Sequence, residues 1–391
     1  MFHNLYFWAA VPFTVMLLNY LSVRARDWLL PITSSALVLY LDPKGGTILM
    51  MVAILVFFIL TNSTKNHRHQ KKLCIAGIVA VTVTLVFFKY LPQLLVVGHP
   101  FMTGIIMPLG ISFLAFRLIH VLVECQRGTL PDFSVRDFFL YVFFFPIWLA
   151  GPIQRFDDFL ANRIVKIASA DITLGVIRVA WGLSKAFFLA DIILPELYSY
   201  GVTPATISTQ IEQLTILEVW RYLFVTYFIL YADFSGYTDI AVGLSLLLGF
   251  RIIENFNFPF LAVNISDYWR RWHMSLAKWC QSYIYMPILA RSRKPTLALY
   301  STFLVMGIWH AASFHWVLWG IYHATGIWVY RQWDLTIRRH MPSLPRQNLF
   351  FAITGNTLTM IYVAGAGAFT SMHGLAPISI SFQILKQAVG L

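Results

Sequence analysis

Residues 73–90 of this chain are Leu73-Cys74-Ile75-Ala76-Gly77-Ile78-Val79-Ala80-Val81-Thr82-Val83-Thr84-Leu85-Val86-Phe87-Phe88-Lys89-Tyr90. Lys89 is the only charged residue among them, and a helix that spans a bilayer needs about 20 mainly apolar residues. Similar stretches recur along nearly the whole length of 391 residues. Hydrophobic residues make up 58% of the chain and charged residues 12%, whereas a soluble domain has about 25% charged residues. The sequence therefore predicts an all-α, polytopic integral membrane protein.

The apolar segments predict about ten to twelve transmembrane or re-entrant helices, at roughly 20 residues per span. The clearest spans are Thr47–Leu60, Leu73–Tyr90, Phe101–Val123 with a kink at Pro108, and Leu349–Phe369. The central segments are short or interrupted by polar residues: Val219–Tyr231, Ile240–Phe250 and Ile265–Ile288. Broken helices at membrane depth are tolerated where they face protein or a water-filled cavity, so we expect the centre of the chain to build a cavity. No segment resembles a soluble domain, and one membrane domain is predicted over residues 1–391.

The distribution of charge predicts the orientation in the membrane. The formal net charge is +12, but the basic residues lie in short loops between apolar runs, so no nucleic-acid partner is predicted. Loops rich in Lys and Arg mark the cytoplasmic side. Arg291–Lys294 is such a loop, whereas Pro195–Glu218 contains neither residue type. This alternation predicts an N-terminus outside and a retained first helix at Leu5–Leu21.

Two histidines flanked by tryptophan carry most of the functional signal. The segment Asp267–Leu276 contains His273, and the segment Met306–Ala311 contains His310. An ionisable side chain at membrane depth is costly and is therefore a functional hypothesis by default. If its helix enters the membrane from the basic loop at Arg291, His310 lies deep, on the order of 20 Å along the helix. The alternative for His310 is a hydrogen-bonded histidine that serves helix packing.

The segment around His273 is both basic and aromatic. On one continuous helix, Trp269, His273 and Leu276 share a face at i, i+4 and i+7. Arg270 and Arg271 would reach toward an interface or line a polar cavity. The alternative for His273 is an amphipathic helix that lies in the membrane interface.

Other histidines and the carboxylates give weaker signals. His323 lies on the helix that follows His310, and His315, at the start of that helix, is expected to be interfacial. His120 is interpreted as a satisfied polar group of the core. Four carboxylates lie near the segment Phe234–Tyr237: Asp233, Asp239, Glu254 and Asp267. No metalloprotease, Ser-hydrolase or phosphate-loop motif is present, and the three cysteines lack ligand spacing, so no metal site is predicted.

Several ordered segments resemble motifs of the membrane-bound O-acyltransferase (MBOAT) superfamily. The similarity is greatest to the bacterial branch that contains the alginate O-acetylation membrane protein and the D-alanyl transfer protein of teichoic acid synthesis. The segments run from about Phe101 to about Tyr330, and they are Met107–Phe113, Phe145–Pro146, Ala150–Arg155, Asp233–Gly243, Glu254–Asn257 with Pro259, Trp269–His273 and Gly307–His310. Motifs in this order are far more specific than a lone histidine.

The resemblance implies a ring of helices around a central funnel, with His310 near its narrow point. It places the two signature histidines of the family on His273 and His310, which we interpret as catalytic. Nine further residues are interpreted as substrate-binding: Trp269, Arg270, Arg271, Trp272, Trp309, Asp233, Asp239, Asn255 and His323. The implied location is the bacterial inner (cytoplasmic) membrane.

The implied reaction moves an acyl group from a thioester to a hydroxyl of an extracytoplasmic cell-envelope polymer, with His310 as general base. The expected donor is a phosphopantetheine thioester on an acyl carrier protein, or acyl-CoA, at the basic cytoplasmic side. No tightly bound cofactor is expected. The segment Ile288-Leu289-Ala290 departs from the acetylation branch and favours D-alanyl over acetyl transfer.

Three alternatives stay open at this point. In the first, the chain is a polysaccharide or peptidoglycan O-acetyltransferase subunit that passes acetyl to a periplasmic partner protein. In the second, which is more remote, it is a non-catalytic transporter of acyl groups or lipid. A structural scaffold explains the membrane fold but not two Trp-flanked histidines. The sequence leaves the acyl group, the acceptor polymer and the oligomeric state undetermined.

Overall fold

The computed structural model describes residues 23–65, 67–94, 106–164, 167–198, 201–340 and 348–391, together with Val15. Within these ranges the regular structure is helical and no β-strand occurs; an isolated bridge joins Arg163 to Phe250. The predicted all-α fold is confirmed. The predicted first helix, Leu5–Leu21, lies outside the described residues apart from Val15.

The chain divides into two compact units, Met1–Gly182 with Tyr237–Ile253, and Leu183–Gly236 with Glu254–Leu391. The α-helices of seven residues or more are numbered in chain order. Those that begin in the first unit are α1 (Val23–Leu41), α2 (Pro43–Lys65), α3 (His67–Lys89), α4 (Ile111–Arg127), α5 (Val135–Phe143) and α6 (Ser169–Leu183). Those that begin in the second unit are α7 (Ile216–Leu247), α8 (Ile265–Arg271), α9 (Met274–Cys280), α10 (Met286–Ser292), α11 (Pro295–His310), α12 (Phe314–His340), α13 (Leu349–Gly365) and α14 (Ile378–Ala388). The single membrane domain stays a prediction.

Three stretches of the described chain are long and apolar enough to cross a bilayer, judged by length and composition. They are Pro43–Ser63, His69–Lys89 and Leu349–Thr370, and they overlap three of the predicted spans. Large apolar side chains on α2 and α3 remain exposed, among them Phe58 and Val83. Lipid chains would cover such side chains, because a bilayer supplies the apolar surroundings that water does not.

The first unit buries a cationic side chain in its core. Arg117 on α4 is only 1% exposed, and its guanidinium donates to the carbonyl oxygens of Tyr141, Val142 and Ile147. His120, one turn further along α4, accepts a hydrogen bond from the backbone N–H of Phe156 at 2.9 Å. This contact agrees with the interpretation of His120 as a satisfied core residue.

The described part of the predicted span Phe101–Val123 agrees with the structure only from Ile111 onward. Residues 106–110 are not helical, and α4 begins only at Ile111. Gly110 caps the helix with φ +79°, a left-handed conformation that glycine adopts without strain. A Cβ atom at Gly110 would also lie 2.8 Å from Trp148 Nε1, so the glycine allows the indole to approach the turn.

Of the predictions about the central segments, the interruption of Ile265–Ile288 agrees with the structure, but the separation of the two segments before it is wrong. Val219–Tyr231 and Ile240–Phe250 were expected to be separate, but α7 runs without a break from Ile216 to Leu247. The segment Ile265–Ile288 is instead divided into α8, α9 and the start of α10, with a π-helical turn at Gln281–Tyr285. The first division falls at His273, whose φ of +41° is left-handed and incompatible with a continuous α-helix.

The helices α11 and α12 form a closely packed antiparallel hairpin. Three residues, 311–313, join them. A Cβ atom on Gly320 of α12 would lie 2.5 Å from the Phe303 carbonyl oxygen of α11. A Cβ atom on Gly307 of α11 would overlap the Trp316 carbonyl oxygen of α12. The two glycines therefore allow each backbone to touch the other, and this contact fixes His310 and the side chains of α12 relative to each other.

A reciprocal pair of tyrosines joins α12 to α13. The rings of Tyr322 and Tyr362 stack with centroids 4.1 Å apart. The Tyr322 hydroxyl donates to the Tyr362 carbonyl oxygen at 2.9 Å, and the Tyr362 hydroxyl donates to the Tyr322 carbonyl oxygen at 2.5 Å. Because Tyr322 precedes His323, this pair fixes the backbone at that histidine.

Candidate active site

A cavity of about 300 Å³ in the second unit brings three histidines together. His273, His310 and His323 all contribute to its lining. Most of the remaining wall is aromatic or apolar, including Trp269, Trp272, Trp316, Trp319, Tyr268, Phe234 and Leu276. The side chains of α7, α8, α9, α11, α12 and α13 contribute to this wall, together with the short helix Gly367–Thr370. The arrangement places ionisable groups inside an otherwise apolar enclosure.

His273 is held in one tautomer by Asn255. The His273 side chain is 3% exposed, and its Nδ1 lies 3.0 Å from Asn255 Oδ1. The same oxygen accepts the backbone N–H of Ser275 at 3.2 Å and the Ser275 hydroxyl at 2.8 Å. Since a backbone N–H can only donate, the Asn255 atom at this position is the oxygen, and His273 Nδ1 must carry a proton. Neutral His273 therefore keeps its lone pair on Nε2, the nitrogen that could accept a proton.

His310 ends α11 and stacks on an indole. Its ring centroid lies 4.2 Å from that of Trp316, with an interplanar angle of 13°. Trp309 and Trp319 contact the same imidazole edge-on, at 4.6 Å and 5.6 Å between centroids. His310 is half-buried, in contrast to the buried His273 and His323. Of the three histidines, His310 is thus the one most open to an entering ligand.

His323 lies on α12 among aromatic rings and is 2% exposed. Its centroid is 4.8 Å from that of Trp319 and 5.1 Å from that of Trp269. Within the described residues, its buried Nδ1 has no hydrogen-bond partner. The site thus contains one histidine whose Nδ1 bonds to Asn255, one that stacks on an indole, and one whose buried Nδ1 has no hydrogen-bond partner among the described residues.

A second cavity, of about 460 Å³, lies beside the first and carries positive charge. Arg270, Lys278 and Arg331 contribute to its lining, together with Ser266, Gln281 and Tyr285 and several apolar side chains. Trp269 contributes to the lining of both cavities. An anionic ligand in the second cavity would therefore lie one indole away from the histidines.

The other residues predicted to bind substrate have mixed positions. Trp269 and Trp272 line the histidine cavity and Arg270 lines the second one. Arg271 instead donates from Nε to Asp267 Oδ2 at 2.9 Å. Asp239 pairs with Arg178 at 2.7 Å in the first unit.

Asp233, on α7, and Trp309 are absent from the described lining of both cavities. Asn255 acts through His273 rather than through the cavity wall. For all nine residues, substrate binding stays a prediction. His315, expected at an interface, is buried at 8% exposure.

Sequence reasoning missed Trp316 and Trp319, although a signal for both was present. With His323 they occupy positions i, i+3 and i+7 of α12, which is one face of a helix. It also missed the contribution of Ala366, Gly367 and Thr370, for which no local pattern exists. Among the residues that the structure describes, no three side chains of His, Cys, Asp or Glu are grouped so as to hold a metal ion.

Comparison with known proteins identifies the family. Residues 47–364 match the model of the MBOAT family, described as the membrane-bound O-acyltransferase family. The chain belongs to the membrane-bound O-acyltransferase family. The predicted family and the predicted polytopic membrane fold are confirmed, and the protein is an integral membrane protein. The ring of helices around a funnel stays a prediction.

Members of the MBOAT family with named activities resemble the chain over much of its length. A probable alginate O-acetylase of Pseudomonas aeruginosa is 33% identical over 278 residues, which cover 67% of this chain and 51% of the relative. A peptidoglycan O-acetyltransferase of Helicobacter pylori is 28% identical over 84% of this chain and 67% of its own length. A teichoic acid D-alanyltransferase of Streptococcus thermophilus is 28% identical over 63% of each chain. The chain spans about half the length of the alginate O-acetylases that it matches.

Proposed function

We propose that this protein is a membrane-embedded O-acyltransferase that transfers an acyl group from a thioester to a hydroxyl group of an extracytoplasmic polymer. The observation that carries the proposal is the single cavity that His273, His310 and His323 share, next to a cationic cavity across Trp269. Family membership and the named activities of the relatives support the same reaction class.

His310 acts as the general base in this proposal. Its imidazole accepts the proton of the acceptor hydroxyl while the hydroxyl oxygen forms a bond to the thioester carbonyl carbon. The carbon–sulfur bond then breaks, and the leaving thiolate takes the proton back from the imidazolium. An ester and a free thiol result, and a positioned histidine contributes about 10² to 10⁴-fold to such a reaction. The stack on Trp316 supports the role, because it fixes the plane of the imidazole.

The second cavity is the proposed site for the donor. A phosphopantetheine thioester, on acyl carrier protein or in acyl-CoA, combines phosphate with a long, mainly apolar arm. Arg270, Lys278 and Arg331 would pair with the phosphate, since charge-assisted hydrogen bonds to phosphate favour Arg and Lys. The basic segment Arg291–Lys294 lies in the same unit and fits a cytoplasmic opening in the bacterial inner membrane, with the N-terminus outside.

The identity values favour acetyl over D-alanyl as the acyl group, in contrast to the expectation from the segment Ile288-Leu289-Ala290. The alginate O-acetylase is 33% identical to this chain, whereas the D-alanyltransferase is 28% identical over a smaller share of it. The second candidate function is therefore an O-acetyltransferase subunit that passes acetyl to a periplasmic partner before it reaches a polysaccharide or peptidoglycan. In both candidates the acceptor is a cell-envelope polymer.

The decisive experiment compares His310→Ala with wild type in membranes matched for protein level. Acetyl-CoA and a D-alanyl carrier-protein thioester are supplied in parallel, with alginate oligomers, peptidoglycan fragments and teichoic acid as acceptors. We expect ester formation to fall at least about 10²-fold in the variant. His340→Ala is the matched control, because His340 is exposed at the far end of α12 and its Nδ1 bonds to Thr336 of the same helix. Full activity of His310→Ala would exclude His310 as the base and favour a transporter.

A further inference from the structure

The proposed reaction leaves His323 without a role. Its imidazole is 2% exposed, and Nδ1 lacks a partner within the described chain. A buried polar group without a hydrogen bond is costly, and each such group in a folded protein requires an explanation. The glycine contacts of α11 with α12 and the Tyr322–Tyr362 pair hold the backbone here. The position of His323 is therefore fixed by packing against both neighbouring helices.

The surroundings of His323 determine what kind of ligand group would fit beside it. Trp269, Trp319 and Phe303 contact the imidazole through their rings. Trp269 Nε1 and Trp316 Nε1 are also buried without a hydrogen-bond partner in the part of the chain that the structure describes. An indole N–H can only donate. The wall of the cavity is therefore rich in donors, and a ligand that satisfies it must bring acceptors such as carbonyl oxygens.

The position of His323 links it to both halves of the reaction. His310 and His323 flank the same indole, with their centroids 5.6 Å and 4.8 Å from that of Trp319. His323 also contacts Trp269 and Phe303, both of which line the cationic cavity. A thioester that passes Trp269 from that cavity would meet His323 on the way to His310.

We propose that the neutral imidazole of His323 donates a hydrogen bond to the carbonyl oxygen of the bound thioester and stabilises the oxyanion that forms there. The proposal rests on the proposed O-acyltransferase function. When the acceptor oxygen bonds to the carbonyl carbon, the carbonyl π pair moves onto this oxygen, and the His323 N–H stabilises the resulting negative charge. When the carbon–sulfur bond breaks, the pair returns to the carbonyl. His323 neither gains nor loses a proton, in contrast to His310.

The test uses the full chain in membranes, with acetyl-CoA and the D-alanyl carrier-protein thioester as donors and thiol release as the readout. His323→Leu removes the donor and keeps an apolar side chain of similar size, whereas His323→Gln keeps an N–H donor that does not titrate. We expect kcat to fall about 10² to 10³-fold in His323→Leu, the usual cost of one oxyanion donor, with little change in the KM for the thioester. His323→Gln should recover a large part of this loss.

A matched control exists on the same helix. His315 is buried and its Nε2 lacks a partner among described residues, but it does not line the histidine cavity. His315→Leu should keep kcat within about twofold of wild type, and the pH profile of His323→Gln should keep the limb that His310 sets.

Near wild-type kcat in His323→Leu, while His310→Ala is inactive, would overturn the oxyanion role and leave the proposed function intact. Equal loss in the Leu and Gln variants would also overturn it. The absence of thiol release by wild type with either donor would overturn both proposals.

Discussion

One oxygen atom, Asn255 Oδ1, supports the conformation around His273. The Asn255 side chain is fully buried and accepts from His273 Nδ1, Ser275 N and Ser275 Oγ. The backbone carbonyl of Asn255 also accepts from Met274 N at 2.9 Å. These bonds span the residue whose φ is left-handed, an arrangement that costs on the order of 1 to 3 kcal/mol and persists only where the surroundings determine it. Asn255 is therefore a positioning residue for His273.

We predict that Asn255→Leu destabilises the protein and lowers acyl transfer together. It leaves three buried donors without their acceptor, and each such group costs about 1 to 3 kcal/mol. Asn255→Asp retains the accepting oxygen and should keep more of the stability. The midpoint of thermal unfolding in detergent, measured beside thiol release, checks both effects. An unchanged midpoint in Asn255→Leu would show that the three bonds do not determine the turn.

At the scale of elements, the hairpin of α11 and α12 carries two of the three cavity histidines. The contact depends on glycine at positions 307 and 320, because a methyl group at either would overlap a carbonyl oxygen of the other helix. We predict that Gly307→Ala and Gly320→Ala each separate the helices, lower thermal stability and reduce acyl transfer at least tenfold. The reason is that a displacement of about 1 Å at reacting groups can cost on the order of 10²-fold in rate.

Val305→Ala is the control for this pair of variants. Val305 lies on α11 near Gly307, but its side chain is 44% exposed. Its substitution should change stability by no more than about 0.5 kcal/mol, as is usual for exposed positions. If Gly307→Ala matches Val305→Ala in both stability and transfer rate, close backbone contact does not set the position of His310.

The segment around His273 shows where sequence reasoning succeeds and where it fails. The prediction that Trp269, His273 and Leu276 share one helical face is wrong, because the continuous helix does not exist, yet all three residues line one cavity. The division at His273 depends on hydrogen bonds to Asn255, 18 residues earlier. Hydrophobic periodicity contains no information about such a contact, so the break could not be predicted from the local sequence.

At the scale of the whole molecule, labelling of cysteines tests the orientation in the membrane. The three native cysteines are buried and should resist a membrane-impermeant maleimide in intact cells. Glu212 and Lys294 are both exposed in the structure. We predict that Glu212→Cys is labelled from outside and that Lys294→Cys is labelled only after permeabilisation, because Lys- and Arg-rich segments stay in the cytoplasm.

Wild type, with its buried cysteines, gives the background for this experiment. Labelling of Lys294→Cys in intact cells, with protection of Glu212→Cys, would reverse the predicted orientation. The proposed function requires the donor to reach the cationic cavity from the cytoplasm. The reversed orientation would place this cavity on the other side of the membrane.

The fold class was predictable because the free energy of membrane insertion depends on the composition of apolar runs, and these are visible in residues such as 73–90. The location of His273 and His310 in one site was predictable because an ionisable side chain is conspicuous among apolar residues. His323 was among the predicted residues, and Trp316 and Trp319 share its helical face, but that this face meets His273 and His310 depends on how α12 packs against α8 and α11. The lengths of α7 and α4 were mispredicted for a related reason: tertiary contacts and one glycine cap decide where each helix begins and ends.

Trp269 has a further consequence for a cell that maintains a proton gradient. In the proposed function the thioester enters the cationic cavity from the cytoplasm and the acceptor polymer lies outside, and this indole lines both cavities. Phe303, His323 and Trp319 pack against it at 4.8, 5.1 and 5.8 Å between ring centroids. The electrical insulation of the membrane at this point then depends on a few aromatic rings rather than on lipid. A thioester needs to reach past only one ring, so the acyl group can cross without opening a leak for ions.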